Sequence, residues 1–122
     1  MIYNLTQHLS TPEQKEDGIC DVDNHDYVCK LLTFEELPSQ YDIQTRARQL
    51  AKYASHINAK EVLIGGAFYL MPYLVKELTA RHIHPYYSFS RRISSEDVCH
   101  GVVVKRSAYK HIGLVDARFE NF

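Results

Sequence analysis

The chain has 122 residues, 45% of them hydrophobic and 24% charged, with a formal net charge of -1. That length can bury a core, so one α/β domain over residues 1–122 is expected, and the composition excludes a disordered chain. Near-neutral charge argues against a duplex nucleic acid partner, and the absence of a long apolar run or a secretory signal points to a cytoplasmic protein with no membrane partner.

The charge is unevenly spread. Residues 1–61 hold six Lys/Arg and ten Asp/Glu, a balance of -4, and residues 62–122 hold eight and five, a balance of +3. A small anionic ligand beside the basic half fits this split. Cys20, Cys29 and Cys99 are odd in number and form no CxxC, which suits reduced thiols better than disulfides or zinc.

In chain order, "MIYNL" reads as a short first strand over residues 1–5. "STPEQ" starts a helix, with Thr11 as N-cap, Pro12 at N1 and Gln14 completing a capping box. Gly18 is a natural stop. Residues 19–38 read as irregular at first and then as a short helix capped by Asn24. "DVDNHD" there resembles a calcium loop, but Asp26 stands where glycine is needed and Leu32 where the bidentate Glu belongs, which rejects it.

The plainest helix runs from Ser39 to about Ile57, where Ile43, Ala47, Leu50, Ala51, Ala54 and Ile57 share one face. "EVLIGG", residues 61–66, is a buried strand leading through a Gly-Gly turn into a helix with a Met71, Leu74, Val75, Leu78 stripe. Residues 85–90, "PYYSFS", are the next strand. "GVVVKR" and "YKHIGLV" read as a C-terminal β-hairpin broken at Ser107-Ala108. The expected fold is a small three-layer Rossmann-like sheet, with strands 1–5, 61–66 and 85–90 parallel and the hairpin extending it with mixed pairing.

In open parallel sheets, ligands sit beyond the carboxyl ends of the strands. That rule selects Thr6 and His8 after the first strand, Gly65 and Gly66 after the second, and Ser90 to Arg92 after the third. Gly65-Gly66 lets backbone approach a phosphate at a helix start, although a tight turn needs glycine anyway. Arginine grips phosphate with a planar fork of donors. Strand alternation puts Arg92 on the side of Ser88 and Ser90 and turns Arg91 away, so Arg92 is the candidate and Arg91 a solvated neighbour. His8 and His111 are candidate proton carriers.

Other chemistries lack their patterns. Neither GxGxxG nor a Walker A loop is present, so no cofactor is expected. No HExxH or Cys/His cluster marks a metal site. No G-x-S-x-G elbow marks a serine hydrolase. Most rings of the second half (Phe68, Tyr69, Tyr73, Tyr86, Tyr87, Phe89, Tyr109) are expected in the core rather than stacking on bases.

Taken together, "NLTQHLSTPEQ", "VLIGGAFYLMPYLV", "YYSFSRRISSED", "GVVVK" and "YKHIGL" resemble a small bacterial family of poorly characterised proteins from mobile elements. That family reads NLTQHxxTPEQ, IGGAPxLM, AFSxRxSxE, and DGxVxK followed by FxHxGF. The chain departs from it at Phe68, where the family has Pro, and at His100, where it has Asp. More distantly, the order of parts is similar to CRISPR-associated proteins of the ring-nuclease type, which are dimeric, Rossmann-like and cleave cyclic oligoadenylate without metal. This resemblance implies roles for Gly66, Ser90, Arg92, Glu96, Lys105 and His111, and a homodimer.

The resulting expectation is a protein that binds a phosphate-bearing nucleotide or short RNA-like ligand. In its enzymatic form, a metal-independent phosphodiesterase, a ribose 2′-OH attacks the adjacent phosphate. Arg92 and Lys105 would offset the developing charge, His8 or His111 would move protons, and Thr6, Gly65, Gly66, Ser90 and Glu96 would line the ligand. The alternative is a non-enzymatic interaction module encoded on a mobile genetic element.

Overall fold

The computed structural model describes residues 1–119, with the side chains of residues 95, 97, 99 and 104–107 outside that description. Among the described residues, five strands form one sheet in the order β2-β1-β3-β4-β5. They are β1 (Ile2–Leu5), β2 (Ile19–Asp21), β3 (Glu61–Ile64), β4 (His84–Cys99) and β5 (Val102–Asp116). The first four run parallel, with Tyr3 opposite both Cys20 and Val62, and Leu63 opposite Tyr86. β5 returns antiparallel to β4.

Three of the described helices begin where a side chain satisfies free N–H groups of the first turn. α1 (Pro12–Glu16) carries the complete capping box between Thr11 and Gln14. α2 (His25–Leu32) is capped by Asn24, and α3 (Gln40–His56) by a second box between Ser39 and Asp42. α4 (Met71–Ala80) has Pro in its first turn. The apolar stripes of α2, α3 and α4 meet Leu5, Val62 and Ile64 in one core that includes Leu50 and Leu74, both fully buried.

The opposite sheet face has a smaller cluster of Ile2, Ile19, Leu63 and Leu114. α1 touches both β2 and β5, which end opposite edges of the sheet. The sheet therefore curls, and α1 bridges its edges. A full second helical layer, expected of a three-layer arrangement, reduces here to this five-residue helix.

The structure corrects three expectations. Residues 19–21 form a parallel edge strand rather than an irregular segment. Three residues are too few to show a period, so pairing with β1 decides their state. The strand expected over residues 85–90 continues to Cys99, so Ser90 to Arg92 lie within β4 rather than in a loop after it. The hairpin itself lies elsewhere: β5 runs unbroken through Ser107-Ala108, and its partner is β4. The turn is the two-residue loop His100-Gly101, with φ of 51° and 78°. Two positive φ values suit the twist of a tight hairpin, and glycine supplies the second without strain. The sequence lacks the usual Asn-Gly signal there, which is why the turn is missed.

Beyond Tyr87, β4 pairs with β5 only, among the described residues. The two strands continue as a ribbon that leaves the sheet. This explains why Phe89 and Tyr109, expected in the core, are exposed; Phe68 is exposed in the β3–α4 loop. Tyr73 and Tyr87 do pack against the core. No described helix is long and apolar enough to cross a membrane.

Candidate functional site

The carboxyl ends of β1 and β3 meet the stretch of β4 just past its last pair with β3 at a cavity of about 440 Å³. Thr6, His8, Gly65, Gly66 and Ser90 all line it, joined by Gln7, Tyr87 and Ser88. Five residues chosen from three separate chain segments thus share one rim: Thr6, His8, Gly65 and Gly66 from the loops after β1 and β3, and Ser90 from within β4.

Asn4 builds the first loop. It is 1% exposed on β1, where alternation turns it to the inside of the curl. Its Nδ2 donates to the His8 carbonyl at 2.7 Å and to Asp21 Oδ1 at 2.9 Å. Its Oδ1 accepts from the Thr6 amide at 3.0 Å and the Thr6 hydroxyl at 2.7 Å. Asp21 Oδ1 also accepts from the Ser10 amide and hydroxyl. Burial works against the Asp21 charge, but the hydrogen bonds from Asn4 and Ser10 outweigh it and hold the carboxyl below its ordinary value. Gln7 ties the loop to α2 through Thr33 Oγ1 at 3.0 Å.

The second loop turns at Gly66, whose φ of 140° lies where side chains are strained. In place of a third loop, β4 itself contributes Ser88 and Ser90, whose hydroxyls are 3.5 Å apart. Their shared side agrees with the expected alternation. Burial pushes the Tyr87 phenol up, so this group stays protonated near neutrality.

His111 stands behind Ser88 and is 6% exposed. Its Nδ1 meets Ser88 Oγ at 2.5 Å, and its Nε2 meets Asp17 Oδ2 at 2.8 Å. A buried imidazole engaged at both nitrogens cannot contact a ligand directly. Proton transfer from His111 must pass through Ser88, which does line the cavity. His8 is exposed on the rim and can reach a ligand itself.

The remaining candidates separate from this group. Arg92 is exposed, two residues beyond Ser90 and opposite Tyr109, and does not line the cavity. Glu96 is exposed further out on the ribbon, in register with Lys105. The side chain of Lys105 lies outside the described residues. Six residues of strand from Ser90 to Glu96 span roughly 20 Å, so one chain does not bring Glu96 or Lys105 to its own cavity. Among the described residues that line the cavity there is no Lys or Arg.

Asn4, Asp17 and Ser88 are the residues that motif reasoning misses. Ser88 carried a signal in its alternation with Ser90. Asp17 carried none, being 94 positions from His111. The structure also shows why the lack of a G-x-S-x-G elbow is a weak exclusion, since a Ser–His–Asp line is a matter of geometry, not of chain order.

A larger cleft of about 550 Å³ lies between α2 and α3, lined by Phe34 and Arg46. Arg46 is committed there: it donates to the carbonyls of Lys30, Leu31 and Thr33 and lies 4.8 Å from the Phe34 ring centroid. That arginine satisfies the free carbonyls ending α2, a structural task. Cys20 and Cys29 are free thiols. No cluster of His, Cys, Asp or Glu suited to a metal ion occurs among the described residues.

No curated protein and no solved structure matches the chain. A family model does match, over residues 1–115, and the chain belongs to the Uncharacterized protein MJ1673 family.

Proposed function

We propose that the chain binds a phosphate-bearing nucleotide or short RNA-like ligand in the 440 Å³ cavity and cleaves its phosphodiester without a metal. One observation carries the reading: Thr6, His8, Gly65, Gly66 and Ser90 line the same cavity where the parallel pairing of β1, β3 and β4 ends. Such a rim is where open α/β sheets hold ligands. The reading treats the curled sheet as a Rossmann-like variant, supported by its four parallel strands in the order β2-β1-β3-β4. Backbone at Gly65-Gly66 and the hydroxyls of Thr6, Ser88 and Ser90 position the ligand, and His8 moves protons at the rim.

The test is isothermal titration and turnover with cyclic oligoadenylates and other cyclic nucleotides in the presence of EDTA. At least one is expected to bind and be cleaved, and Ser90→Ala is expected to weaken binding about tenfold, the loss of one charge-assisted hydrogen bond. Failure to bind across the panel overturns the reading.

The proposal includes a homodimer. An isolated two-stranded ribbon is marginal in water, and this one exposes Ile93, Val98, Val102 and Val103. A second copy covering it would also bring Arg92, Glu96 and Lys105 toward a neighbouring cavity. Replacing residues 94–107 with a two-residue Asn-Gly turn is expected to give a folded monomer, because none of the described residues of that segment belongs to either core cluster. Light scattering of the parent and the deletion checks this. A parent that is itself monomeric ends the dimer proposal and favours the second reading, an interaction module from a mobile element whose ribbon binds another protein.

A further inference from the structure

The line Asp17–His111–Ser88 has a chemical consequence beyond ligand positioning. Asp17 Oδ2 lies 2.8 Å from His111 Nε2, and the His111 side chain is 2% exposed. A carboxylate there accepts the Nε2 proton and so fixes the tautomer with a bare Nδ1. That Nδ1 lone pair faces Ser88 Oγ, its hydrogen-bond partner. Ser88 is half-buried and opens on the cavity. A hydroxyl with a base on one side and a cavity on the other is arranged as a nucleophile, with its base oriented by a third group.

We propose that Ser88 is the nucleophile of this cavity, activated by His111 and oriented through it by Asp17, toward the phosphorus of a phosphoester. This rests on the reading that the cavity takes such an ester, and it puts Ser88 in the place of a ribose 2′-OH. Ser88 Oγ bonds to phosphorus while its proton passes to His111 Nδ1. The bond from phosphorus to the leaving oxygen breaks, and that oxygen takes a proton from His8 on the rim. Water then attacks the phosphoseryl intermediate and its proton goes to His8, while His111 Nδ1 returns its proton to Ser88 Oγ as the Oγ–phosphorus bond breaks. The net change is addition of water to one ester bond. Ser88 and His8 are the catalytic residues; His111 and Asp17 are positioning and relay residues.

The experiment is labelling of the full chain with a fluorophosphonate, in which fluoride is the leaving group, followed by intact mass and peptide mapping. One adduct per chain at Ser88 is expected, absent in Ser88→Ala. Asp17→Asn keeps the shape of a half-exposed side chain and is expected to fold, as circular dichroism checks, and to be labelled at least tenfold more slowly. His111→Gln is expected to lose labelling, but its burial makes Asp17→Asn the safer variant. No adduct at Ser88, or a labelling rate unchanged in Asp17→Asn, overturns the proposal. Labelling needs no nucleotide to bind, so a silent nucleotide panel with Asp17-dependent labelling sinks the nucleotide reading alone. If a nucleotide is cleaved, its 2′-deoxy analogue is expected to be cleaved too; a strict need for the 2′-OH overturns Ser88 as the nucleophile.

Discussion

Asn4→Ala is expected to lower the unfolding free energy by about 2–3 kcal/mol and to abolish ligand binding at the cavity. The side chain is almost wholly buried and joins the Thr6 amide and hydroxyl, the His8 carbonyl and the Asp21 carboxylate. Alanine leaves all of these to find water or stay unpaired, and the Thr6–His8 loop loses the contact that shapes it. Urea unfolding measures the loss. The pH dependence adds a second signature. The Asp21 carboxyl is held below its ordinary value of 3.8, so its stabilising effect is full above that value and is lost as pH falls through the lower, folded value. Asn4→Ala removes one cause of this depression and is expected to flatten the acid side of the stability curve. Asn4→Asp does the opposite at neutrality, placing a second carboxylate against Asp21. Its destabilisation is expected to ease on acidification, as one of the two groups takes up a proton. A stability profile for Asn4→Asp parallel to that of the parent chain would contradict this account.

Gly66→Ala is expected to cost about 1–3 kcal/mol, while Gly65→Ala in the same loop costs less than about 0.5 kcal/mol. Space does not separate them. An added methyl at Gly66 meets Leu32 at 3.7 Å and Met71 at 3.9 Å, and one at Gly65 meets Thr6 at 3.6 Å, all ordinary contacts. Conformation does, because Gly66 has φ of 140° and Gly65 is not in the positive region. The β3–α4 turn therefore needs glycine at the second position and merely accepts it at the first. Thermal unfolding of the two variants checks the difference. Since both residues line the cavity, Gly66→Ala is also expected to weaken ligand binding. Equal effects of the two substitutions would mean that close approach, not backbone conformation, governs the loop.

Much of the site was legible because two rules act locally. Capping chemistry located the starts of α1 and α2, since Thr11 and Asn24 satisfy N–H groups only a few residues away, and apolar periodicity located α3. Strand alternation and chain order located the rim, since parallel strands joined by crossovers end on the same edge. Arg92 shows the limit of that reasoning. It lies beyond Ser90 on the intended strand, yet β4 continues past the sheet and carries it onto the ribbon, outside the cavity lining. Where a strand leaves its sheet depends on its neighbours' lengths, and β3 stops at Ile64.

The sequence by itself determined the helices, the parallel core of the sheet and the five rim residues Thr6, His8, Gly65, Gly66 and Ser90, because each follows from periodicity, capping or connection rules within short stretches. Only the tertiary structure decided the curl of the sheet, the long β4–β5 ribbon and the Asp17–His111–Ser88 line. These depend on contacts between residues far apart in the chain: α1 meets β5 only after the sheet has curled, and that closure brings a carboxylate to a histidine 94 positions away.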